Sequence, residues 1–528
     1  MAIETFVSTA LVRHFPKSRP GTSRKLKLAV ARGERVSFQA GASTELDPAH
    51  LTASAASADG WPVRVRRVGW VPLPHQDTET PPDETDGFTR IPGWAPDPLF
   101  DECEVLAGPW ETHAFWFTVC VPADAKPGLH EVTVKLKVDQ RVKQLTVTLN
   151  VSELVLKPRE GFPVTHWFYA DALCDWYRVE PWSKAFWPLC ERYLADCAEH
   201  GLDTILTPLF TPPTDGVKRP TQLLRVAREG EQYRFDWRDV RKWVQVATRA
   251  GIRNFEWNHL FTQWGVRNAI RIYEGQGFDE KLLWAPETGA TSEIYRGFLA
   301  QFLPKFHKFL EAEGLLERSF FHVSDEPHGA EHLANYKAAR QVLRELAPWM
   351  KTMDALSEIT YGRDQVTDMP IPSIAVTRQY WQEGIPSWTY FCCGPRGRYM
   401  NRLINTPLPK IRAAGWLFYR FQRLGFLHWG YNYWYRSQTR DLIDPFTVTD
   451  GGAWPGWAYG DPFVVYPGPD GPIDSLRWEV WAESLQDFAL LQSAGVDPDS
   501  ALLAKLKDFD DFPKTERWVL DTRAKVLG

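Results

Sequence analysis

Eight short apolar runs between residues 164 and 432, most of them separated by stretches of helical pattern, restrict the fold more than any other feature of this chain. The runs cover residues 164–170, 204–209, 254–260, 319–324, 351–356, 373–377, 387–391 and 425–432. Helical patterns cover residues 184–200, 237–250, 293–312, 330–346 and 408–423. Gly201, Gly251 and Gly314 stand just past three of these helices, where a left-handed C-cap is free of a Cβ penalty. Strand followed by helix, repeated, requires a parallel sheet with right-handed crossovers. Eight such strands in roughly 280 residues suit a (β/α)8 barrel. The links after the fifth and sixth runs are short and broken by Gly and Pro, so their crossover helices should be brief and the barrel distorted.

Such barrels carry their chemistry at the C-terminal ends of the strands. The fourth run continues into His322-Val323-Ser324-Asp325-Glu326-Pro327-His328. Pro327 cannot donate to a sheet ladder, so the strand should stop there and deliver two carboxylates together to the barrel lip. The plain alternative is a loop whose acids cap the next helix. Other strand ends favour a site. His166, Trp167, Tyr169 and Asp171 end the first run, and Asn258 and His259 the third. Tyr380 and Trp381 follow the sixth, Tyr390 ends the seventh, and Trp429, Tyr431, Asn432 and Trp434 end the eighth. Aromatic rings gathered on one face suit a sugar, whose C–H faces pack as apolar groups do. The chain has 25 Trp, 17 Tyr and 30 Phe, more than a core alone calls for. His322 and His328 read as ordinary core or surface histidines, with His328 near enough to the pair to tune its charge.

At 528 residues the chain is too long for one core. Residues 1–156 read as an all-β sandwich. Val132, Val134, Leu136 and Val138 alternate with polar residues, as do Leu145, Val147, Leu149 and Val151, across a short bridge at residues 139–141. The acidic, proline-rich stretch 77–98 should be a surface loop. The sandwich is expected to support the barrel; as a carbohydrate-binding module it would offer Trp94 or Trp110 as platforms. Residues 157–163 form a linker, and residues 164–528 the barrel with closing C-terminal helices.

Net charge is −5 with a pI near 6.3, without the basic footprint that nucleic acid requires. Neither a signal-peptide pattern nor an apolar run of membrane-spanning length is present in the sequence. Seven cysteines, an odd number without framework or zinc spacing, point to reduced thiols in a cytoplasmic protein. No metal or cofactor is expected, and the expected partner is a small glycoside or oligosaccharide.

The 322–328 stretch, with Tyr336 and Arg340 on the following helix, resembles family 123 of the glycoside hydrolases. Four further stretches match in the family's order: residues 31–39, residues 425–434, Tyr466-Pro467-Gly468, and Ser475-Leu476-Arg477-Trp478-Glu479 with Leu485, Asp487 and Phe488. The last helix departs from the family pattern, carrying Ala482, Glu483 and Ser484 where Arg-Asp-Gly is usual. The resemblance implies a retaining β-N-acetylgalactosaminidase that works by substrate-assisted catalysis. By position, Glu326 would be the general acid/base and Asp325 the carboxylate that orients the substrate's acetamido group.

The residues themselves suit that scheme. Conventional retaining glycosidases hold two carboxylates about 5–5.5 Å apart across the scissile bond. Neighbouring residues of a strand point apart and do not readily do this. A tyrosine must then hold the acetamido carbonyl: Tyr390 first, with Tyr380 and Tyr431 behind it. Trp429 or Trp434 would form the sugar floor, and Asn432 or Asn258 would bind hydroxyls; His166 and Trp167 complete the expected binding set. Two other functions also fit the sequence: a glycosidase for another β-linked sugar, and a glycan-binding protein without turnover.

Overall fold

The computed structural model describes residues 4–77, 79–216, 218–277 and 280–528. Ten N-terminal strands form two five-stranded sheets. In the first, Glu4–Thr9, Arg35–Ser43, Thr112–Cys120, Val63–Leu73 and Gly93–Phe100 lie side by side, each antiparallel to its neighbour. In the second the order is Lys25–Arg32, Arg141–Val155, Gly128–Val138, Ala49–Ser57 and Glu104–Ala107; only the first pair is parallel. The expected hairpin closes through Asp139-Gln140, with Val138 paired to Arg141 and Asp139 at φ 53°. Period-two alternation does its work here. Val132, Val134, Leu136, Leu145, Val147 and Leu149 bury one face and meet Phe38, Phe115, Phe117 and Val119 of the first sheet in one apolar cluster.

The 77–98 stretch departs from the surface loop expected of it. Its end belongs to the strand Gly93–Phe100, and Glu84 is buried between Lys410 and Lys514 at 3.0 and 2.6 Å. Of its acids, Glu84 and Asp97 are paired with Lys410, Lys514 and Arg477, and Asp86 with Arg13. Trp94 and Trp110 are 54% and 46% exposed.

Beyond residue 163 six strands form one parallel sheet. Val164–His166, Thr204–Thr207, Asn254–Trp257 and Ser319–Phe321 follow one another in chain order. On its other side Val164–His166 pairs with Phe426–His428, and that strand with Thr389–Tyr390. Met353–Ala355 and Met369–Ile371 form a separate parallel pair. Single parallel bridges, Phe321 to Thr352 and Ser373 to Tyr390, link this pair to the two edges of the six.

The sixth strand lies at Met369–Ile371, ahead of the expected 373–377, where a helix begins at Thr377 instead. Pro370 and Pro372 disguised it, because proline cannot donate to a ladder. Both serve here through their carbonyls, which accept from Trp388 N (3.2 Å) and Tyr390 N (3.1 Å). The crossover helices after the fifth and sixth strands, Thr360–Arg363 and Thr377–Gln382, have four and six residues. Glu293–Ala312 has the bounds its pattern predicts: Ser292 caps it by accepting from Tyr295 N, and Phe298, Phe302 and Phe306 stack along the buried face.

The helix Leu476–Ser493 is buried on nearly every side. It also ties the N-terminal sheets to the rest of the chain. Arg477 donates to both oxygens of Asp97 and to three backbone carbonyls. Glu479 accepts from Arg66 (2.6 Å) and Arg35 (2.9 Å) of the N-terminal sheets and contacts His200 at 3.3 Å. Arg66 also pairs with Asp474. Glu483, one of the departures from the family pattern, accepts from Ser37 N at 2.9 Å and pairs with Arg412. At Ser484 the helix backbone lies against Gly415, where a Cβ would come 1.8 Å from the Ser484 oxygen. Among the described residues no helix is long and apolar enough to cross a membrane.

Candidate active site

The floor of the site is a buried ion network. His322, just past the fourth strand, has Nε2 2.8 Å from Glu256 Oε1 and Nδ1 3.1 Å from Asp354 Oδ1. Burial favours the neutral ring, but the bonds to Asp354 and Glu256 outweigh it and raise the histidine to about 10. Glu256 also accepts from Thr165 Oγ1 (2.6 Å) and Trp167 Nε1 (2.8 Å). Asp354 accepts from Val323 N (3.1 Å) and Tyr336 Oη (2.5 Å). An imidazolium held between two carboxylates thus ties the first, third, fourth and fifth strands together below the lip. His259 stacks on it at 4.4 Å, and burial and the His322 charge push this second ring well below its ordinary range.

Above this floor the chain turns sharply. Ser324 Oγ donates to the Thr262 carbonyl (2.8 Å), and Trp264 N donates to the Asp325 carbonyl (2.8 Å). Glu326 then takes a left-handed backbone, φ 43°, a conformation that costs a non-glycine residue energy and clusters at functional sites. The turn does what a strand cannot: it sends two consecutive carboxylates into the same cavity. Asp325 is buried and accepts from Gln263 Nε2 at 2.7 Å; Glu326 is half-buried and accepts from Tyr390 Oη at 2.7 Å.

The cavity is about 120 Å³. Trp167, Trp264, Trp429 and Trp457 give it aromatic walls, Asp215 and Asp461 bring two further carboxylates, and Cys392 and Cys393 lie in its side. Burial, then the charges of Glu326 and Asp215, push Asp325 well above the usual carboxylate range. Asp215 is raised by burial, against the opposing pull of Lys218 and of the Tyr169 hydroxyl, which donates to it at 2.5 Å. Burial raises Asp461 to about 7 in spite of Arg402 and a 3.0 Å bond from Trp429 Nε1. Its second oxygen lies 3.5 Å from His428 Nε2 and makes no hydrogen bond among the described residues. Collected carboxylates of unequal proton affinity, walled by indoles, can deliver and withdraw a proton beside a bound sugar.

Of the eleven site residues expected from sequence, Asp325, Glu326, Trp167, Tyr390 and Trp429 line this cavity. The other six do not, and each has a different position. His166 packs among Phe426, His428, Trp478 and Trp481, against the closing helix. Asn258 braces two loops, accepting from Phe210 N and donating to the His259 carbonyl, both at 2.8 Å. Tyr380 sits on the helix Thr377–Gln382 and donates to the carbonyls of Leu356 and Glu358. Tyr431 donates to Asp196 (2.6 Å) outside the strand ring. Asn432 bonds to the Tyr169 backbone at both ends of its amide, and Trp434 donates to the Val465 carbonyl. His328 is exposed at the N-cap of the helix Gly329–Leu346.

A family model described as "Glycoside hydrolase 123, catalytic domain" matches residues 167–494. The chain belongs to glycoside hydrolase family 123. A solved family 123 glycoside hydrolase from Clostridium perfringens, described as acting in glycolipid glycan hydrolysis, is similar along 100% of this chain and 97% of its own. Its TM-score is 0.75 at 14% identity, a likeness of fold. A β-glucuronidase from Parabacteroides merdae (TM-score 0.32, 9% identity, 85% of this chain and 50% of that one) is far more distant. So is a family 10 xylanase from termite gut (TM-score 0.33, 7% identity, 88% and 100%). No curated protein matches the sequence.

This family 123 glycoside hydrolase therefore builds its cavity from more than the expected strand ends. Asp215, Gln263, Trp264, Gln438, Trp457 and Asp461 come from connections, where no periodicity marks a residue as facing inward. Two clusters, His259–His322–Asp354 and Asp196–His200–Asp474, bring possible cation ligands within 4.8 Å of one another. In each, one histidine already has carboxylate or carbonyl partners on both nitrogens, so both clusters are read as ion-paired histidines.

Proposed function

We propose that this glycoside hydrolase is a retaining exo-β-N-acetylgalactosaminidase using substrate-assisted catalysis. The observation that carries the reading is the left-handed turn at Glu326, which puts two adjacent carboxylates of different burial into one small cavity. The substrate's 2-acetamido oxygen attacks the anomeric carbon and the glycosidic C–O bond breaks. Glu326 gives its proton to the leaving oxygen, and an oxazolinium ion forms. Water then attacks the anomeric carbon as Glu326 takes back a proton. Asp325 accepts the acetamido N–H, aiming the nucleophile and stabilising the positive charge as it grows.

The acid–base condition of the pair supports this division. Burial and the charge of its neighbour push Asp325 well above the usual carboxylate range, which favours a proton on it when the site is empty. An acetamido N–H arriving at Asp325 favours its ionised form and leaves the proton for Glu326. Tyr390 already donates to Glu326, so we assign it to holding that carboxylate rather than to the acetamido carbonyl. Trp429, braced by Asp461, offers an indole face to the ring. A cavity below the roughly 300 Å³ at which drug-sized sites begin suits one terminal sugar. We read the eight strands as one closed (β/α)8 ring and the two N-terminal sheets as a sandwich. Seven free cysteines favour a reducing, cytoplasmic setting, with imported glycosides or glycan fragments as substrates.

The test is hydrolysis of 4-nitrophenyl β-N-acetylgalactosaminide, with the glucosaminide and the galactoside beside it. Glu326→Gln should lower kcat by about 10²–10⁴-fold, and a thiazoline mimic of the oxazolinium should inhibit strongly. Full activity in Asp325→Asn, or hydrolysis of the galactoside at the same rate as the galactosaminide, overturns the substrate-assisted scheme.

A further inference from the structure

Asp215 lines the sugar cavity, yet the reaction proposed above gives it no task. We propose that it determines specificity: its carboxylate accepts a hydrogen bond from the 3-hydroxyl of the terminal sugar, so that only residues unsubstituted at O3 are cleaved. The inference rests on the substrate-assisted reading and adds to it the ring position that must be free.

Hydrogen bonds fix the order of groups along the cavity. Tyr390 donates to Glu326, one peptide joins Glu326 to Asp325, and Gln263 joins Asp325 to the loop of Asp215. Gln263 Nε2 donates to Asp325 Oδ2 (2.7 Å), and Gln263 Oε1 accepts from Asp215 N (2.9 Å). A backbone N–H can only donate, so the amide has one orientation here. The sheet gives the same order. Gln263 follows Asn254–Trp257, the neighbour of Ser319–Phe321, and Asp215 follows Thr204–Thr207, the next strand along. Tyr390 lies in the strand at the opposite edge of the sheet. Asp325 is thus tied towards Asp215, and Glu326 towards the far edge. A sugar with C1 at Glu326 and its 2-acetamido group at Asp325 brings C3 next, one carboxamide further along, to Asp215.

Asp215 is held in place by its surroundings. Its backbone is left-handed, φ 60°, a conformation that Asp visits more readily than most residues. Its carbonyl accepts from Tyr433 Oη (2.9 Å). Gly216 beside it lies so close to Gln438 that a Cβ would come 2.4 Å from the Gln438 Cα. Tyr169 donates to Oδ2, and Oδ1 makes no hydrogen bond among the described residues. Lys218, its ammonium 4.5 Å from the centre of the Tyr169 ring, opposes the effect of burial on Asp215 and favours the ionised form. An ionised carboxylate only accepts, and a hydroxyl supplies the proton it needs. A substituent on O3 removes that donor and adds bulk to a cavity of about 120 Å³.

The full-length enzyme and Asp215→Ala are compared on 4-nitrophenyl β-N-acetylgalactosaminide and its 3-deoxy, 4-deoxy and 6-deoxy analogues. In the wild type kcat/KM should fall by about 10–150-fold for the 3-deoxy sugar, the contribution of a hydrogen bond to a charged group. Asp215→Ala should lose a similar factor on the parent sugar and then barely distinguish it from the 3-deoxy analogue. A structural role, holding Tyr169 and the loop, would slow all four sugars alike and keep the parent-to-3-deoxy ratio at its wild-type value. That result overturns the proposal, as does a ratio that collapses for the 4-deoxy or 6-deoxy sugar instead. If the alanine variant does not fold, Asp215→Asn decides. Asparagine tolerates the left-handed backbone and can accept from Tyr169, and as a neutral partner it should lower the same ratio by about several-fold. Failure of the galactosaminide reading shows separately, as a wild type that prefers the glucosaminide or the galactoside. The deoxy ratios are then measured on the preferred sugar and still decide the role of Asp215.

Discussion

Replacing His322 by glutamine removes the one positive charge between Glu256 and Asp354. The ring is raised from its ordinary 6.5 to about 10 in the folded chain. A histidine whose folded value is raised stabilises the protein fully below its unfolded value and loses that contribution as pH rises through the folded value. The window therefore lies between 6.5 and about 10. Its lower half is complicated in the variant, since Asp354 is raised by burial and loses the histidine that opposes that shift, so it takes up a proton of its own. Between pH 8 and 9.5 the wild type should lose about 2 kcal/mol more unfolding free energy than His322→Gln, from one proton bound by the native state alone. Urea titrations followed by tryptophan fluorescence at four pH values measure this directly. His200, also raised to about 10, titrates in both proteins and cancels in the difference. Parallel stability–pH curves for the two proteins would mean that His322 is neutral in the fold and that the floor of the site is not an ion network.

Tyr390→Phe removes a bond to a charged group, worth roughly 1.5–3 kcal/mol; kcat/KM should fall by about 10–150-fold with an unchanged melting temperature, and unchanged kinetics would remove Tyr390 from the mechanism. Arg66→Met leaves Asp474 with only Arg64 at 3.6 Å and His200 at 3.9 Å, and takes one arginine from the buried Glu479. Breaking such a buried pair costs roughly 3–5 kcal/mol, so calorimetry should show melting several degrees lower, and no shift would make the junction energetically idle.

Features set by local chemistry were legible in the sequence. Glu293–Ala312 carries its own cap at Ser292 and an i, i+4 ladder of phenylalanines, so its bounds could be read directly. Asp325 and Glu326 stood out because a proline follows an apolar run that ends in two acids. Misreadings came where short-range rules had nothing to act on. Strands of two to four residues end before the polar residues that follow them: Phe426–His428 stops short of Trp429, Tyr431, Asn432 and Trp434, so inward and outward no longer alternate. Only Trp429 of those four reaches the cavity. The sixth strand was hidden by prolines that act as acceptors. Asp215 and Asp461 reach the site from loops, and their inward direction is decided by tertiary contacts with Tyr169 and Trp429.

The junction around Glu479 has a practical meaning for anyone trimming this enzyme to a minimal catalyst. Residues 157–163 lie in no helix or strand and invite a cut, and the family match lies wholly downstream of them. Yet a chain beginning there would keep Glu479, Asp474 and Arg477 without Arg35, Arg66 and Asp97. Acids that now share their charge with arginines would face each other on a freshly opened apolar surface. Residues 1–156 thus supply ion-pair partners to the buried helix Leu476–Ser493, and a useful truncation or fusion must leave both in the same polypeptide.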